Sequence, residues 1–321
     1  MSRASGGLHR YPSPLRYPGG KGKIANYLKL VMLENGLVGH EYVEPYAGGA
    51  SVALSLLFED YASHIHINDL NPGVHACWDA MLNRTDELCD LIRETPVTMD
   101  TWHTQRAILA TPDPDPLSLA FATFFLNRVN RSGIISGGVI GGLEQQGPYK
   151  IDARYNTEDL IRRIRKVGRY RSRISLTGVD AVEFLSSWTE DDVAPSFVYL
   201  DPPYFVKGRG LYDNFYDPTD HASVADIVHR LAHPWVVSYD AVPQILDLYP
   251  DDPRLRYDLS YSASSKPRQG REVMFFGPDL RRPSQGDGEG PSGIAITEVH
   301  EAIADWHDRR PTLRTQALPV G

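Results

Sequence analysis

Asp201-Pro202-Pro203-Tyr204 gathers a carboxylate, two rigid prolines and an aromatic ring directly behind an apolar run, Phe197-Val198-Tyr199-Leu200. The run reads as a buried strand. The four residues then stand at the carboxyl end of a parallel strand, the edge where open α/β sheets bind ligands. Proline fixes φ and offers a carbonyl without an N–H of its own. Such a loop presents an anionic acceptor, free carbonyls and a stacking surface, a setting suited to an amino group on a planar ring. The same residues also make ordinary turn chemistry, an Asx-type bend ending a strand. The rest of the chain has to decide between these readings.

A second group of residues suits a nucleoside. Glu41-Tyr42-Val43-Glu44-Pro45 reads as a short strand running into Tyr46-Ala47-Gly48-Gly49-Ala50-Ser51 and then a helix, Val52 to Phe58. Glycines at a strand-to-helix turn let a ligand approach the backbone, and the helix N-terminus favours an anion such as a carboxylate. His64 to Asp69 alternates as a second strand and ends in an acid placed to accept from a ribose diol. Taken alone, with Asn68 and Asn71-Pro72 beside it, Asp69 better suits a helix cap or turn. No third glycine and no Walker lysine-serine pair follows, which disfavours a nucleoside triphosphate. A nucleoside with a small zwitterionic tail, S-adenosylmethionine, fits better.

A third group is basic. The net charge of −8 argues weakly against a polyanionic partner, but residues 127–173 carry eleven Arg or Lys against four acids, leaving +7 there and −15 elsewhere. Local field outweighs net charge in phosphate binding. Arg128, Arg131, Lys150, Arg162, Arg163 and Arg165 are the nucleic-acid-contact candidates in that stretch; a solvated helix face is the alternative. Lys266, Arg268 and Arg271 form a lesser basic group. Residues 131–147 hold six glycines and are expected to be a mobile loop.

The elements that must position these groups alternate. Strand, glycine loop, helix, strand and acid make up a nucleoside-binding βαβ unit. From Pro72 to about Arg173 the pattern is helical: Trp78, Met81 and Leu82, then Leu88, Leu91 and Ile92, mark apolar faces, and a helix spans Leu117 to Val129 after the break at Thr111 to Pro116. Strand patterns resume at Ile174-Ser175-Leu176-Thr177, Phe197 to Leu200, Trp235-Val236-Val237-Ser238 and Val273-Met274-Phe275-Phe276, with an amphipathic helix over Thr219 to Leu231. The chain of 321 residues can hold one large domain with an insertion. No stretch has the apolar length of a bilayer span, the start lacks the apolar core of a secretory signal, and Cys77 and Cys89 have no metal-type spacing. A cytoplasmic protein with two inert thiols and no metal is expected.

Together these residues are similar to the DNA adenine-N6 methyltransferase family with a D12-type domain, the class that includes Dam. The matching segments are Leu15-Arg16-Tyr17-Pro18-Gly19-Gly20-Lys21, Glu44 to Ser51, Asn68-Asp69-Leu70-Asn71, Phe125-Leu126-Asn127-Arg128 with the glycine-rich loop, Asp201 to Tyr204, and Ser238-Tyr239-Asp240. They run in the family's order from about Leu15 to Gly277. The glycine loop departs from it, reading Gly48-Gly49-Ala50 where the family often has Gly-x-Gly.

The resemblance implies a Rossmann-like α/β methyltransferase sheet over residues 1–72 and 174–280. It also implies an inserted, mainly helical target-recognition domain over 73–173, and the composition adds a linker and short helix over 281–321, with Ile296, Val299, Ile303 and Trp306 on one face. It implies cofactor contacts from Tyr17, Lys21, Glu44, Tyr46, Gly48, Gly49, Ser51, Asp69 and Asp180, the last equally suited to turn capping. Catalysis falls to Asp201, Pro202 and Tyr204, acting on an adenine N6 flipped from double-stranded DNA, with a cognate restriction endonuclease as a further expected partner. A cytosine-N4 or RNA adenine methyltransferase of the same fold, or a non-catalytic DNA-binding module, remain the alternatives.

Overall fold

The computed structural model describes residues 12–17, 24–190, 194–206, 216–261, 268–283, 301, 302 and 304. Lys21, Lys266 and the tail residues Ile296, Val299, Ile303 and Trp306 lie outside them, as do the side chains of Arg268 and Arg271.

Among the described residues seven strands form one sheet: β1 (Glu41–Glu44), β2 (Ile65–Asn68), β3 (Ile174–Thr177), β4 (Ser196–Leu200), β5 (Trp235–Asp240), β6 (Arg254–Tyr261) and β7 (Arg268–Phe276). Their order is β3-β2-β1-β4-β5-β7-β6. Strands β1 to β5 are parallel, and β7 pairs antiparallel with both β5 and β6. Progress along the sheet reverses between β1 and β4, which opens a crevice at their carboxyl ends.

The central strands are apolar on both faces because helices cover both. In β4, Phe197 and Tyr199 face one core, while Val198 and Leu200 face the other. Tyr42 and Val43 divide the same way in β1. Helices α1 (Ala25–Glu34) and α2 (Ser51–Phe58) flank the first side, and α8 (Ala181–Ser186) and α9 (Pro218–Val228) the second; the short α10 (Pro243–Leu246) follows β5.

Between β2 and β3 the chain leaves the sheet for α3 (Pro72–Asn83), α4 (Thr85–Glu94), α5 (Met99–Leu109), α6 (Pro116–Val129) and α7 (Thr157–Arg169). Asn71 and Asp115 cap α3 and α6, each with proline at the first turn, where its missing N–H costs nothing. Trp78, Phe124, Phe125 and Ile164 from these helices share a single core with Tyr27, Leu54 and Ile67 of the sheet layer. The helical insert therefore packs into the same hydrophobic body. In α7, Leu160, Ile161, Ile164 and Val167 are buried, Arg163 and Lys166 are half-buried, and Arg162, Arg165 and Arg169 are exposed.

Residues 131–147 correct the expectation of a mobile loop. Beyond a 3-10 turn at Arg131–Gly133 they form no helix or strand, yet their bonds are abundant. Asn130 receives the Trp102 indole N–H (2.8 Å) and donates to the Ile134 and Ile135 carbonyls (3.1 and 2.8 Å). Gln145 donates to Ile140 and Gly142 and accepts from Ile151 N–H. Gly133, Gly141 and Gly142 all have left-handed backbone, with φ of 78, 89 and 78°. Glycine serves here to make turns that side-chain amides then lock. The expected linker also begins tied down, since Asn35 exchanges two 2.8 Å bonds with the Arg281 backbone.

Candidate active site

Asp201 follows β4 at the switch-point crevice, and Ser238 on neighbouring β5 orients it. The Ser238 hydroxyl donates to Asp201 Oδ1 at 3.0 Å and lies 2.8 Å from the Tyr199 hydroxyl. Past Tyr204 the loop is gripped from the end of β5. Both oxygens of buried Asp240 accept backbone N–H groups, from Phe205 (3.0 Å) and Val206 (3.1 Å). Pro202 is buried and Tyr204 half-buried. Burial first, then the nearby Asp201 and Glu272 carboxylates, holds the Tyr204 phenol well above its usual range, so it stays neutral. Glu272 also accepts from the Tyr257 hydroxyl at 3.0 Å.

The other half of the crevice is the loop from β1 to α2. Glu44, buried at the end of β1, accepts from Ala53 N–H (3.1 Å) in the first turn of α2. Burial pushes its carboxyl up to about 8, and the like charge of Asp201 adds to the shift. Asp69 lies just past β2 and accepts from Gly48 N–H (2.8 Å) and Asn71 N–H (2.9 Å), while burial raises its carboxyl to about 6. A carboxylate has about four lone-pair sites, so Asp69 braces the turn and retains acceptor capacity. Gly48 is left-handed (φ 46°), and so is Ala50 (φ 44°). At Ala50, where the family often has glycine, a side chain therefore stands in left-handed backbone and carries strain. Tyr17 lies directly over the turn, where a Cβ on Gly48 would sit 2.6 Å from its ring. Ser51 opens α2 and is half-buried.

Asp180 is exposed at the end of the β3 loop and caps α8 through Val182 N–H (2.8 Å) and Glu183 N–H (3.3 Å). It faces Tyr46 and Tyr216, whose hydroxyls lie 3.2 Å apart. Tyr216, His221, Phe205 and Tyr239 continue the aromatic wall, with ring separations of 5.3 to 5.6 Å around His221. Sequence reasoning missed this wall, although Phe205, Tyr212, Phe215 and Tyr216 cluster visibly in the chain. It also missed Trp78, read only as a core residue, whose indole donates to the Gly48 carbonyl at 2.8 Å. Asn68 is a rivet rather than a ligand, bonding Pro45, Thr177 and Val179 across three strand ends.

The expected DNA contacts divide. Arg128 donates to the Arg154 carbonyl (3.0 Å) and the Pro14 carbonyl (3.4 Å), and burial lowers its guanidinium to about 9. These bonds go to backbone carbonyls, stitching Pro14 and Arg154 to α6. Arg163 ties the Ser13 carbonyl (3.2 Å) to α7 and pairs with Asp159 (2.5 Å). Arg162 also pairs with Asp159, and Arg165 faces Asp86 at 3.8 Å; both stay exposed. Arg131 is exposed, and Lys150 donates to the Gln145 carbonyl at 2.6 Å. Arg173 is committed to the fold through Ser63, Ala62 and Asp60.

The crevice thus carries carboxylates on both sides of a glycine turn, next to a helix N-terminus. That donor set suits a cofactor with a sulfonium and ammonium, a ribose diol and a carboxylate. The pattern of the D12 class N6 adenine-specific DNA methyltransferases matches residues 17–262. This chain belongs to that family. It is an adenine-specific DNA methyltransferase with the Rossmann-like methyltransferase sheet, and it uses S-adenosylmethionine. A Type II methyltransferase, M.MjaIII from Methanocaldococcus jannaschii, is 23% identical over 205 residues, 59% of this chain and 68% of that one. Among solved structures, protein PH1948 from Pyrococcus horikoshii matches with 8% identity and a TM-score of 0.41, over 82% of this chain and 86% of its own. The rRNA methyltransferase aviRa from Streptomyces viridochromogenes matches with 10% identity and a TM-score of 0.32, over 80% and 92%. Among the described residues of this methyltransferase, no helix is long and apolar enough to cross a membrane, and no cluster of His, Cys, Asp or Glu could hold a metal ion.

Proposed function

We propose that this methyltransferase flips an adenine out of double-stranded DNA into the crevice between β1 and β4, where Asp201 and the Pro202 carbonyl accept its two N6–H groups. The observation that carries this reading is the Ser238 bond, which fixes an acidic acceptor at the switch point beside the glycine turn. Exocyclic N6 is a poor nucleophile because its lone pair is delocalised into the ring. Two acceptors on its N–H groups favour a pyramidal nitrogen with the lone pair directed at the donor. When bound, the cofactor supplies an electrophilic methyl group on sulfur. Positive charge grows on N6 as the new bond forms, so the fixed Asp201 carboxylate stabilises the transition state more than the ground state. Asp201 also stands ready to take the surplus N6 proton.

In this proposal Tyr204 stacks on the everted base, worth about 1–3 kcal/mol. Tyr17, Lys21, Glu44, Tyr46, Gly48, Gly49, Ser51, Asp69 and Asp180 are the proposed cofactor contacts. Residues 73–173 act as the target-recognition domain, and Arg131, Lys150, Arg162 and Arg165 supply its exposed positive charge. Arg128 and Arg163 act indirectly, by holding residues 12–17. The Type II name of the Methanocaldococcus jannaschii relative supports a role beside a restriction endonuclease.

Nucleoside analysis of mixed, unmethylated DNA incubated with isotopically labelled S-adenosylmethionine tests the reading. Label in N6-methyladenine from duplex DNA is expected. Label in N4-methylcytosine, or in RNA alone, refutes it.

A further inference from the structure

Asn127 is buried, 2% exposed, at the end of α6, far in sequence from every cofactor candidate. Its one amide makes three bonds. Oδ1 accepts from Arg16 N–H at 2.7 Å, and Nδ2 donates to the Arg16 carbonyl at 2.6 Å and the Gly133 carbonyl at 2.8 Å. A side-chain amide that pairs with both the N–H and the C=O of one residue fixes that residue's position and orientation as a strand partner would. The Arg16 guanidinium adds a bond to the Asn130 carbonyl at 3.0 Å. Gly133, left-handed at φ 78°, packs so tightly that a Cβ would strike the Arg16 carbonyl. The next residue, Tyr17, is the ring lying on Gly48.

We infer that Asn127 is a positioning residue for the cofactor site. It holds the Arg16 backbone so that Tyr17 closes over the Gly48–Gly49 turn, and it joins this cover to the 131–147 loop through Gly133. The inference rests on the reading that the Gly48–Gly49 turn receives the cofactor. It gives Asn127 a function that its place in the sequence conceals. A disturbance of the 131–147 loop therefore reaches the cofactor through one side chain and one backbone residue.

The test uses the full chain and S-adenosylhomocysteine, with Kd measured by calorimetry. Asn127→Asp keeps the acceptor for Arg16 N–H but sets a carboxylate oxygen against two carbonyls. It is expected to weaken binding about tenfold, with kcat for methyl transfer changed less than about twofold. In a Tyr17→Ala background the same substitution should add less than about twofold, because the side chain it acts through is gone. Gly133→Ala, whose Cβ would strike the Arg16 carbonyl while the Asn127 side chain is retained, should reproduce the loss and serves if Asn127→Asp does not fold. Unchanged Kd in the folded variants overturns the inference, and so does a full tenfold effect persisting in the Tyr17→Ala background, which would mark a general structural role. If the wild-type chain binds S-adenosylhomocysteine but leaves N6 of adenine unmodified, the substrate reading fails while the Asn127 inference stands. If it does not bind, the inference falls with the cofactor site.

Discussion

Removing the Ser238 hydroxyl isolates the alignment of the Asp201 carboxylate from its charge. In Ser238→Ala, Asp201 loses the 3.0 Å donor on Oδ1 while its position after β4 is unchanged. A hydrogen bond to a charged group contributes about 1.5–3 kcal/mol. If that bond serves to align the carboxylate on N6, its loss appears in the barrier, and kcat falls by about 10- to 150-fold. The cofactor Kd should be unchanged, because Ser238 lies on the far side of the crevice from the Gly48 turn. A second effect must be separated out. The substitution also strips the Tyr199 hydroxyl of its 2.8 Å partner inside the core, costing about 1–3 kcal/mol of stability. Adding Tyr199→Phe removes the orphaned hydroxyl, so Tm should recover while kcat stays low. Steady-state rates with labelled cofactor and thermal melts of both variants give the two readouts. A kcat for Ser238→Ala within twofold of wild type, or its recovery in the double variant, would refute the reasoning.

Three further perturbations probe the neighbouring groups. Asp240→Asn turns an amide N–H₂ toward one of the Phe205 and Val206 N–H groups, and should lower kcat at least about tenfold with cofactor Kd retained, as single-turnover rates will show. Gly48→Ala puts a Cβ 2.6 Å from the Tyr17 ring in left-handed backbone, costing about 1–2 kcal/mol and weakening cofactor binding, which calorimetry and melting check together. Glu44 is raised in the native state from 4.5 to about 8, so the native chain binds its proton more tightly than the unfolded chain. Its contribution is complete below the unfolded value and is lost as pH rises through the native one, so stability without cofactor should fall between about pH 4.5 and 8, by at most roughly 1.4 kcal/mol per pH unit. Melts of Glu44→Gln across that range should show a flatter profile; an identical slope would remove Glu44 as the cause.

Most of the sheet was legible because its central strands are short apolar runs ending in acids, and the ends of those runs locate Glu44, Asp69 and Asp201. Strand β6 escaped because Arg254, Arg256 and Asp258 interrupt its alternating Leu255, Tyr257 and Leu259. The 131–147 stretch was misread because glycine content signals permitted backbone angles, whereas order there comes from the amides of Asn127, Asn130 and Gln145, whose partners sequence does not reveal. The basic cluster overstated free charge for a related reason. Asp60 and Asp86, which face Arg173 and Arg165, lie outside the counted window, and carbonyl groups that hold Arg128 carry no formal charge at all. Trp78 and Asp240 act through contacts across 30 and 35 residues, beyond any local pattern.

The central claim is that the Asp201 carboxylate activates N6 without helping to bind the cofactor. Paired measurement of single-turnover methyl transfer and S-adenosylmethionine Kd for Asp201→Asn tests it most directly. The expected result is a rate loss of about 10²–10³ or more with Kd within about threefold of wild type. Near-normal transfer by Asp201→Asn, or a loss confined to Kd, would contradict it.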